Sequence, residues 1–459
     1  MSKNFKITLF FIGSLLPLID NNLFIEKTYI YLIINLILYL SCVLKKYNTL
    51  ILLSPLNFIY LYCQISLIIG DYAFFNDLVK HANLTNDLLN NNHVNRRLVL
   101  ALYQLLLFFL TFYFLLNLNV YDKIVQLKLN NQFNFNLNPK VNFKNKTLIP
   151  FFCIPFLFLS YYLNTPFYSG YISHYFVLYF VLSIIVIFRK KPYFVISVFI
   201  GILIMIFTFY GDRREIIYFL YVSMILYVLF FHEYKLNIFK STILFFITIL
   251  LILTTTILRV LYDPESGNMK NLNEFSELFI NYFNIELFTY FIVVNFDIAN
   301  FYIHGLNSIN SVLNDFSLVS YGSTLLKGLL IFLPRSYFPF KPESMLTLYT
   351  SYVDPINRDL GNSYPINFIA ELFWNFHIFS LLVIFFLGYL FHKITIKFLF
   401  NFKPQINKSL IFKLSFIGPF LSYIRGAGIE YIIYSAFIFF IIYFFHTLQD
   451  KVIKKFLLT

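Results

Sequence analysis

The chain has 459 residues, of which 59% are apolar and only 12% charged, and its mean hydropathy is +0.72. A water-soluble fold of this size could not hide so much apolar surface, and three cysteines exclude a disulfide scaffold. In a soluble protein the net charge of +13 would indicate nucleic acid, whereas here its meaning depends on which membrane face carries it. We therefore predict an all-α polytopic membrane protein that contacts the lipid bilayer and no nucleic acid.

A membrane-spanning helix needs about 20 mainly apolar residues. Continuous apolar runs predict twelve spans, at 6–19, 29–44, 51–70, 98–118, 148–163, 172–188, 193–210, 216–231, 243–262, 366–391, 409–424 and 430–446. These spans divide the chain into nine N-terminal helices within 1–262, a large loop over 263–365 and three C-terminal helices within 366–459. In the loop, Leu278 to His304 and Phe316 to Leu333 are either embedded, re-entrant or interfacial helices, or an extra pair of spans that raises the count to fourteen.

Lysine assigns the two faces of the membrane, because Lys and Arg concentrate in cytoplasmic loops. The lysine-rich segments fall on one set of alternate loops only if both termini are cytoplasmic. These segments include 45–46, 123–146, 189–191, 235–240, 393–408 and 451–455. The 263–365 loop then lies on the outer face.

Arginine is distributed in the opposite way. Of the nine arginines only Arg189 is cytoplasmic in this topology, and the others lie on or near the outer face: Arg96, Arg97, Arg213, Arg214, Arg259, Arg335, Arg358 and Arg425. A guanidinium grips phosphate or carboxylate bidentately and stays charged. We therefore predict an outward-facing site for an anionic ligand such as a pyrophosphate. The alternative is contact with lipid head groups, which weighs most for the pair Arg96 and Arg97.

Two motifs carry three of these arginines. Gly211 permits a tight turn that places Arg213 or Arg214 at the start of a helix, where free backbone N–H groups favour an anion. The alternative is a charged turn that only fixes the helical hairpin. Arg335 lies in a segment with three prolines, 332–342, which cannot be helical and whose aromatic residues keep it close to the bilayer.

Two further arginines lie in polar or glycine-rich turns. Arg358 belongs to the polar run 357–365, which either reads sugar hydroxyls or holds Arg358 in a salt bridge with Asp354 or Asp359. Arg425 is followed by two glycines within 422–428, so that the backbone can approach a ligand closely or simply form a tight turn.

The tenth predicted span opens with polar side chains. Glu371 and Asn375 are four residues apart and share a helix face. A carboxylate within a membrane segment is a functional candidate by default, either as a proton acceptor or as the ion-pair partner of an outer arginine. His377 follows two residues later and is interpreted as a packing or hydrogen-bonding residue. The cysteines have no paired spacing, so neither a metal site nor a disulfide is predicted, and no motif predicts a cofactor.

These motifs, in this order, resemble the O-antigen polymerases (Wzy) and related oligosaccharide repeat-unit polymerases over roughly residues 200–430. The matching features are the Gly-x-Arg turn at 211–214, the Pro-Arg and Lys-Pro pairs at 334–335 and 341–342, the Ala-Glu-Leu-x-x-Asn-Phe run at 370–376 and the Arg-Gly pair at 425–426. Where such polymerases have Asn-Phe-Gly, this chain has Asn-Phe-His377.

The resemblance implies a glycosyltransferase of GT-C-like arrangement in the bacterial inner membrane, with its active site facing the periplasm. Its substrates would be undecaprenyl-pyrophosphate-linked oligosaccharides, and a flippase and a chain-length regulator of the same pathway would be its partners. Glu371, Arg214 and Arg335 would be catalytic, while the pyrophosphate and sugars would be bound by Arg213, Arg358, Arg425 and Asn375. The alternatives are an O-antigen ligase and a flippase for lipid-linked oligosaccharides.

Overall fold

The computed structural model describes residues 3–18, 28–44, 51, 53–75, 93–121, 123, 191–209, 213–231, 298–331 and 333–400, with scattered positions at 250, 254, 423–424, 426, 428–429, 432–433, 436–437, 440 and 444. Every regular element in these residues is a helix, and no strand occurs among them. The predicted all-α class is thereby confirmed for the described part of the chain.

The α-helices are numbered in chain order. They are α1 (Lys3–Leu15), α2 (Thr28–Val43), α3 (Pro55–Phe75), α4 (His93–Leu116), α5 (Lys191–Phe209), α6 (Arg213–Phe231), α7 (Ile298–Asn314), α8 (Ser323–Leu329), α9 (Met345–Val353), α10 (Pro355–Asp359), α11 (Phe368–Phe376) and α12 (Ser380–Phe400). Short 3-10 turns lie at Leu16–Leu18, Phe316–Leu318 and His377–Phe379.

Helices occupy the predicted spans that the structure describes, at 6–19, 29–44, 51–70, 98–118, 193–210, 216–231 and 366–391. Among the described residues, two segments are long and apolar enough to cross a membrane, Arg96–Leu116 and Phe368–Ile396. Shorter apolar helices lie at Thr28–Val43, Pro192–Ile204 and Tyr218–Val228. The remaining predicted spans lie wholly or largely outside the described residues, so the count of twelve to fourteen stays a prediction.

The chain forms two compact units, each assembled from separate stretches of sequence. The first contains Met1–Leu129, Asn281–Asn401 and Ser422–Tyr431, and therefore holds α1 to α4 and α7 to α12. The second contains Asn130–Ile280, Phe402–Leu421 and Ile432–Thr459, and holds α5 and α6. The predicted division at 262 and 365 concerns membrane topology and stays a prediction.

In the first unit, α2 and α3 run antiparallel. The hydroxyl of Thr28, at the start of α2, donates to Asp71 near the end of α3 at 2.6 Å. At the other end of the pair, the Tyr39 hydroxyl donates to Asn57 at 2.7 Å. These contacts agree with the predicted topology, in which consecutive spans alternate in direction.

α4 and α12 run parallel and close together. A Cβ atom built on Gly388 would lie 2.4 Å from the main-chain oxygen of Leu110, so only glycine permits this approach. Further along both segments the Tyr121 hydroxyl lies 2.7 Å from Nδ1 of His392. Parallel packing is what the predicted topology requires, because the fourth and tenth spans both run from the outer to the cytoplasmic face.

The predicted span 366–391 is interrupted. α11 ends at Phe376, a 3-10 turn follows, and α12 begins at Ser380. The break centres on His377, whose φ of 49° and ψ of −133° lie in a region that favours glycine. The structure therefore has a short buried helix followed by a long apolar one, where hydropathy predicts a single continuous span.

The predicted outer loop is helical where the structure describes it. α7 begins at Ile298 and continues ten residues beyond His304, the predicted end of the first apolar segment, while 278–297 lie outside the described residues. Residues 301–309 are all buried, although His304, Asn307 and Ser308 among them are polar. In the second apolar segment, 316–333, the described residues form a 3-10 turn and the short α8.

Candidate functional site

A buried polar cluster lies where α8 meets α11. Glu371 and Asn375 lie one helical turn apart on α11 and both contact Thr324 of α8. The Thr324 hydroxyl donates to Oε1 of Glu371 at 3.2 Å and accepts from Nδ2 of Asn375 at 2.7 Å. Each of the three side chains is at most 1% exposed. The predicted pair Glu371 and Asn375 therefore forms one site, to which the structure adds Thr324.

The amide of Asn375 has a defined orientation. Its Nδ2 also donates to the main-chain carbonyl of Glu371 at 2.8 Å, and because a carbonyl oxygen only accepts, the amide nitrogen must lie on that side. The remaining amide atom, Oδ1, is buried and has no hydrogen-bond partner. Since a buried acceptor without a partner costs about 1–3 kcal/mol, a hydrogen-bond donor placed there would be stabilised.

Asn367 fixes the start of α11. Its side-chain Oδ1 accepts from the backbone N–H of Ala370 at 3.0 Å, which caps the helix, and from the Tyr103 hydroxyl of α4 at 2.9 Å. A Cβ atom on Gly305 of α7 would lie 2.4 Å from Nδ2 of Asn367. The cap therefore holds α11 against α4 and α7, and Glu371 follows it in the first turn.

An aromatic cluster packs beside α11. His304 lies inside α7 and not at a helix end; its Nδ1 is 3.1 Å from the Tyr349 hydroxyl, and its ring stacks on Tyr364 at 4.3 Å. Tyr349 of α9 meets the Trp374 ring edge-on at 5.9 Å, and its hydroxyl accepts from Asn307 at 3.1 Å. The cluster thus joins α7, α9 and α11.

Arg335 lies on an exposed, non-helical turn, as the prolines predict. The backbone N–H groups of Tyr337 and Phe338 both donate to the carbonyl of Pro334 at 3.1 Å. The ammonium of Lys341 closes the turn by donating to the carbonyls of Ile331 and Leu333 at 3.0 and 3.1 Å. Arg335 is exposed, whereas Glu371 is buried, although both belong to the first compact unit.

Arg358 is half-exposed in the last turn of α10, a position that favours a cation. Among the described residues, no ion pair joins Arg358 to Asp354 or Asp359, which is contrary to the salt-bridge alternative. Asp354 instead accepts from the Asn357 backbone N–H at 3.0 Å and the Tyr364 hydroxyl at 2.8 Å. These hydrogen bonds, first of all the one from the backbone, lower the pKa of the Asp354 carboxyl.

The remaining predicted arginines are described less completely. α6 begins at Arg213, so Arg213 and Arg214 open a helix as predicted, but their side chains lie outside those described. They also belong to the second unit, while the Glu371 cluster belongs to the first. Arg425 lies outside the described residues; its neighbour Gly426 has a φ of 121° and packs against the main chain of Ile366, just before α11.

Sequence reasoning missed a buried ion pair in the first unit. Nη2 of Arg96 on α4 donates to Oδ1 of Asp71 on α3, and the two side chains are 6% and 0% exposed. The Tyr302 hydroxyl of α7 donates to the same oxygen and accepts from Nε of Arg96 at 2.9 Å. With Thr28 donating to Oδ2, four helices meet at one carboxylate.

A signal for this ion pair is present in the sequence. Asp71 directly follows the third predicted span and Arg96 lies two residues before the fourth, so opposite charges stand at adjacent ends of a helical hairpin. Contact with lipid head groups, the favoured alternative for Arg96, is wrong for this residue because its guanidinium is buried. Tyr302 could not be found in this way, since it is distant in sequence.

Among the residues that the structure describes, no group of three or more His, Cys, Asp or Glu side chains could hold a metal ion. No protein-family model, no curated protein and no solved structure matches the chain.

Proposed function

We propose that this chain is a multi-pass glycosyltransferase of the bacterial inner membrane. It transfers a glycan from undecaprenyl pyrophosphate onto a lipid-linked repeat unit at the periplasmic face, and so polymerises a surface polysaccharide. The observation that carries the proposal is the buried cluster of Glu371, Asn375 and Thr324 at the start of an apolar segment long enough to cross a membrane. A buried carboxylate in such a segment is a strong candidate for chemistry.

Three further observations support the proposal. The motif residues Arg335 and Arg358 lie in the same compact unit as Glu371. Gly426, next to Arg425, packs against Ile366, so this glycine turn approaches the start of α11. The directions of α2, α3, α4 and α12 agree with the predicted topology, which puts this end of α11 on the outer face.

The proposed reaction needs a base and a means of holding the leaving group. The acceptor hydroxyl oxygen forms a bond to the anomeric carbon of the donor, and the bond between that carbon and the pyrophosphate oxygen breaks. Glu371 takes the hydroxyl proton, and the bonding electron pair leaves with undecaprenyl pyrophosphate. Arginines on the outer face, Arg335 and Arg425 among them, stabilise the charge of this leaving group.

One observation favours a second candidate, a flippase for lipid-linked oligosaccharides. Charged pairs buried between membrane helices occur along transport pathways, and Asp71 with Arg96 forms such a pair. Asp71, however, accepts from Arg96, Tyr302 and Thr28 together. A carboxylate held by three donors is suited to holding helices together more than to exchanging protons, so the glycosyltransferase remains our proposal.

The test is reconstitution. The full chain, purified into nanodiscs, receives undecaprenyl-pyrophosphate-linked repeat units from the native host, and the products are sized by gel electrophoresis. The proposal predicts a ladder of polymers for the wild type and none for Glu371→Gln. Glu343→Gln is the matched control, since Glu343 is half-exposed in the loop that precedes α9.

Arginine variants test how the leaving group is held. Arg335→Lys keeps the charge but loses the planar fork, so the ladder should be strongly reduced if Arg335 grips phosphate. A full ladder from both Glu371→Gln and Arg335→Lys would contradict the proposed mechanism, and no ladder from the wild type would contradict the proposed function.

A further inference from the structure

The hydrogen-bonding protons of Asn375 and Thr324 are all used within the cluster. Nδ2 of Asn375 uses its two N–H bonds on Thr324 and on the Glu371 carbonyl. The Thr324 hydroxyl uses its single proton on the Glu371 carboxylate. A chain of donors therefore runs from Asn375 through Thr324 to Glu371, and none of these donors is left for a ligand.

What the cluster still offers is a buried acceptor. Oδ1 of Asn375 is buried without a hydrogen-bond partner. Phosphate oxygens at neutral pH are acceptors with few or no protons. A phosphate oxygen placed against Oδ1 of Asn375 would bring two acceptors together without a proton between them, at a buried atom.

From these contacts we infer that the cluster binds a hydroxyl group of the acceptor sugar and excludes the pyrophosphate of either lipid. This inference rests on the proposed function and names the substrate that the Glu371 site takes. One sugar hydroxyl donates to Oδ1 of Asn375, which holds the ring in place. The attacking hydroxyl passes its proton to Glu371 as its oxygen bonds to the donor's anomeric carbon and the pyrophosphate leaves. The pyrophosphate itself is bound elsewhere, by the arginines.

The experiment measures binding of two probes to the wild-type chain in nanodiscs. One probe is the lipid-linked repeat unit, as a series in which each member lacks one hydroxyl of the non-reducing terminal sugar. The other is undecaprenyl pyrophosphate without sugar. For the wild type, one member of the series should bind at least about tenfold more weakly than the intact unit, because a buried acceptor then stays unfilled. This part of the experiment uses only the wild-type chain, so it does not depend on whether a variant folds.

The second arm repeats the titrations with Asn375→Leu, which removes the acceptor. The intact unit should lose a similar factor in affinity, and the sensitive deoxy unit should no longer differ from it. Affinity for undecaprenyl pyrophosphate should be unchanged. Glu343→Gln serves as the control and should bind every probe as the wild type does.

The outcomes separate the inference from the proposed function. Wild-type chain that binds neither lipid contradicts both. Wild-type chain that binds both lipids, with no deoxy unit weakened, contradicts the inference alone. Weaker binding of undecaprenyl pyrophosphate to Asn375→Leu than to the wild type would also contradict the inference alone.

Discussion

At the scale of single residues, Thr324 connects the two side chains that the sequence singles out. It donates to Glu371 and accepts from Asn375, so its hydroxyl links the two side chains. Because Thr324 is distant in sequence, on α8, no local pattern indicates its role. The contribution of the Thr324 hydroxyl can be separated from that of side-chain packing, because valine has nearly the same shape but no hydroxyl.

Thr324→Val should therefore impair the chain although it keeps the volume. It removes the hydrogen bond that Glu371 accepts and leaves one N–H of the Asn375 amide buried without an acceptor, which costs about 1–3 kcal/mol, and it should lower the yield of polymer. Thr324→Ser restores the hydroxyl and should recover most of both losses. Thermal unfolding in detergent and product sizing are the measurements. Equal behaviour of the valine and serine variants would show that the hydroxyl is not needed.

His377 adopts a backbone conformation that is unusual for a residue with a side chain. Its positive φ at the end of α11 favours glycine, and its ring packs between Phe316 and Phe373 at 5.3 and 5.4 Å. His377→Gly and His377→Ala both remove the ring, but only glycine relieves the backbone. The glycine variant should be more stable than the alanine variant by about 1 kcal/mol or more. Unfolding midpoints of the two proteins provide the comparison, and an alanine variant at least as stable as glycine would refute it.

The Asp354 carboxyl makes the stability of the corner between α9 and α10 depend on pH. The ordinary carboxyl pKa is 3.8, and that of Asp354 is lowered by its bonds to Asn357 and Tyr364. Its stabilisation of the corner between α9 and α10 is complete above pH 3.8 and is lost as the pH falls through the lower, folded-state pKa.

Amide hydrogen exchange in the corner between α9 and α10 should therefore accelerate below about pH 4 relative to α12, after correction for the intrinsic pH dependence of exchange. Asp354→Asn should abolish the difference. An unchanged pH response in that variant would exclude this carboxyl as its origin.

At the scale of helices, the ion pair between Asp71 and Arg96 holds α3 against α4, while Tyr302 brings α7 to the same point. α7 in turn contacts Asn367, the cap of the helix that carries Glu371. Removing the Arg96 charge leaves the Asp71 carboxylate buried without its ion-pair partner, which is more damaging than removing both charges.

Arg96→Met alone should destabilise the chain by about 3–5 kcal/mol. Asp71→Leu combined with Arg96→Met should be more stable than Arg96→Met alone, because no charge is left buried. Denaturant titration of the single and double variants forms a thermodynamic cycle. Additive losses would mean that the two charges do not interact.

Helix prediction succeeded where apolar residues are continuous and failed where structure depends on distant contacts. The runs 29–44 and 98–118 are long enough that hydropathy alone locates α2 and α4. The break between α11 and α12 is not visible in hydropathy, because no proline or glycine stands there and both sides are apolar. Helical spacing predicted that Glu371 and Asn375 share a face, but the buried state of their cluster depends on α8, which spacing cannot reveal.

At the scale of the whole molecule, the directions of the packed helices bear on the topology. Lysine distribution predicts that the fourth and tenth spans run the same way, and α4 and α12 do pack in parallel. The charge pattern and the packing are independent of each other, and both give these two helices the same direction; which end faces outward rests on the lysine distribution and stays a prediction.

The central claim, that the chain polymerises lipid-linked repeat units, is tested most directly by deleting its gene in the native host and sizing the surface polysaccharide. The account predicts chains of a single repeat unit, restored to full length by the wild-type gene and by Glu343→Gln but not by Glu371→Gln. Long polymer left unattached to its lipid anchor would indicate a ligase. Repeat units accumulating at the cytoplasmic leaflet would indicate a flippase. Either result would contradict the claim.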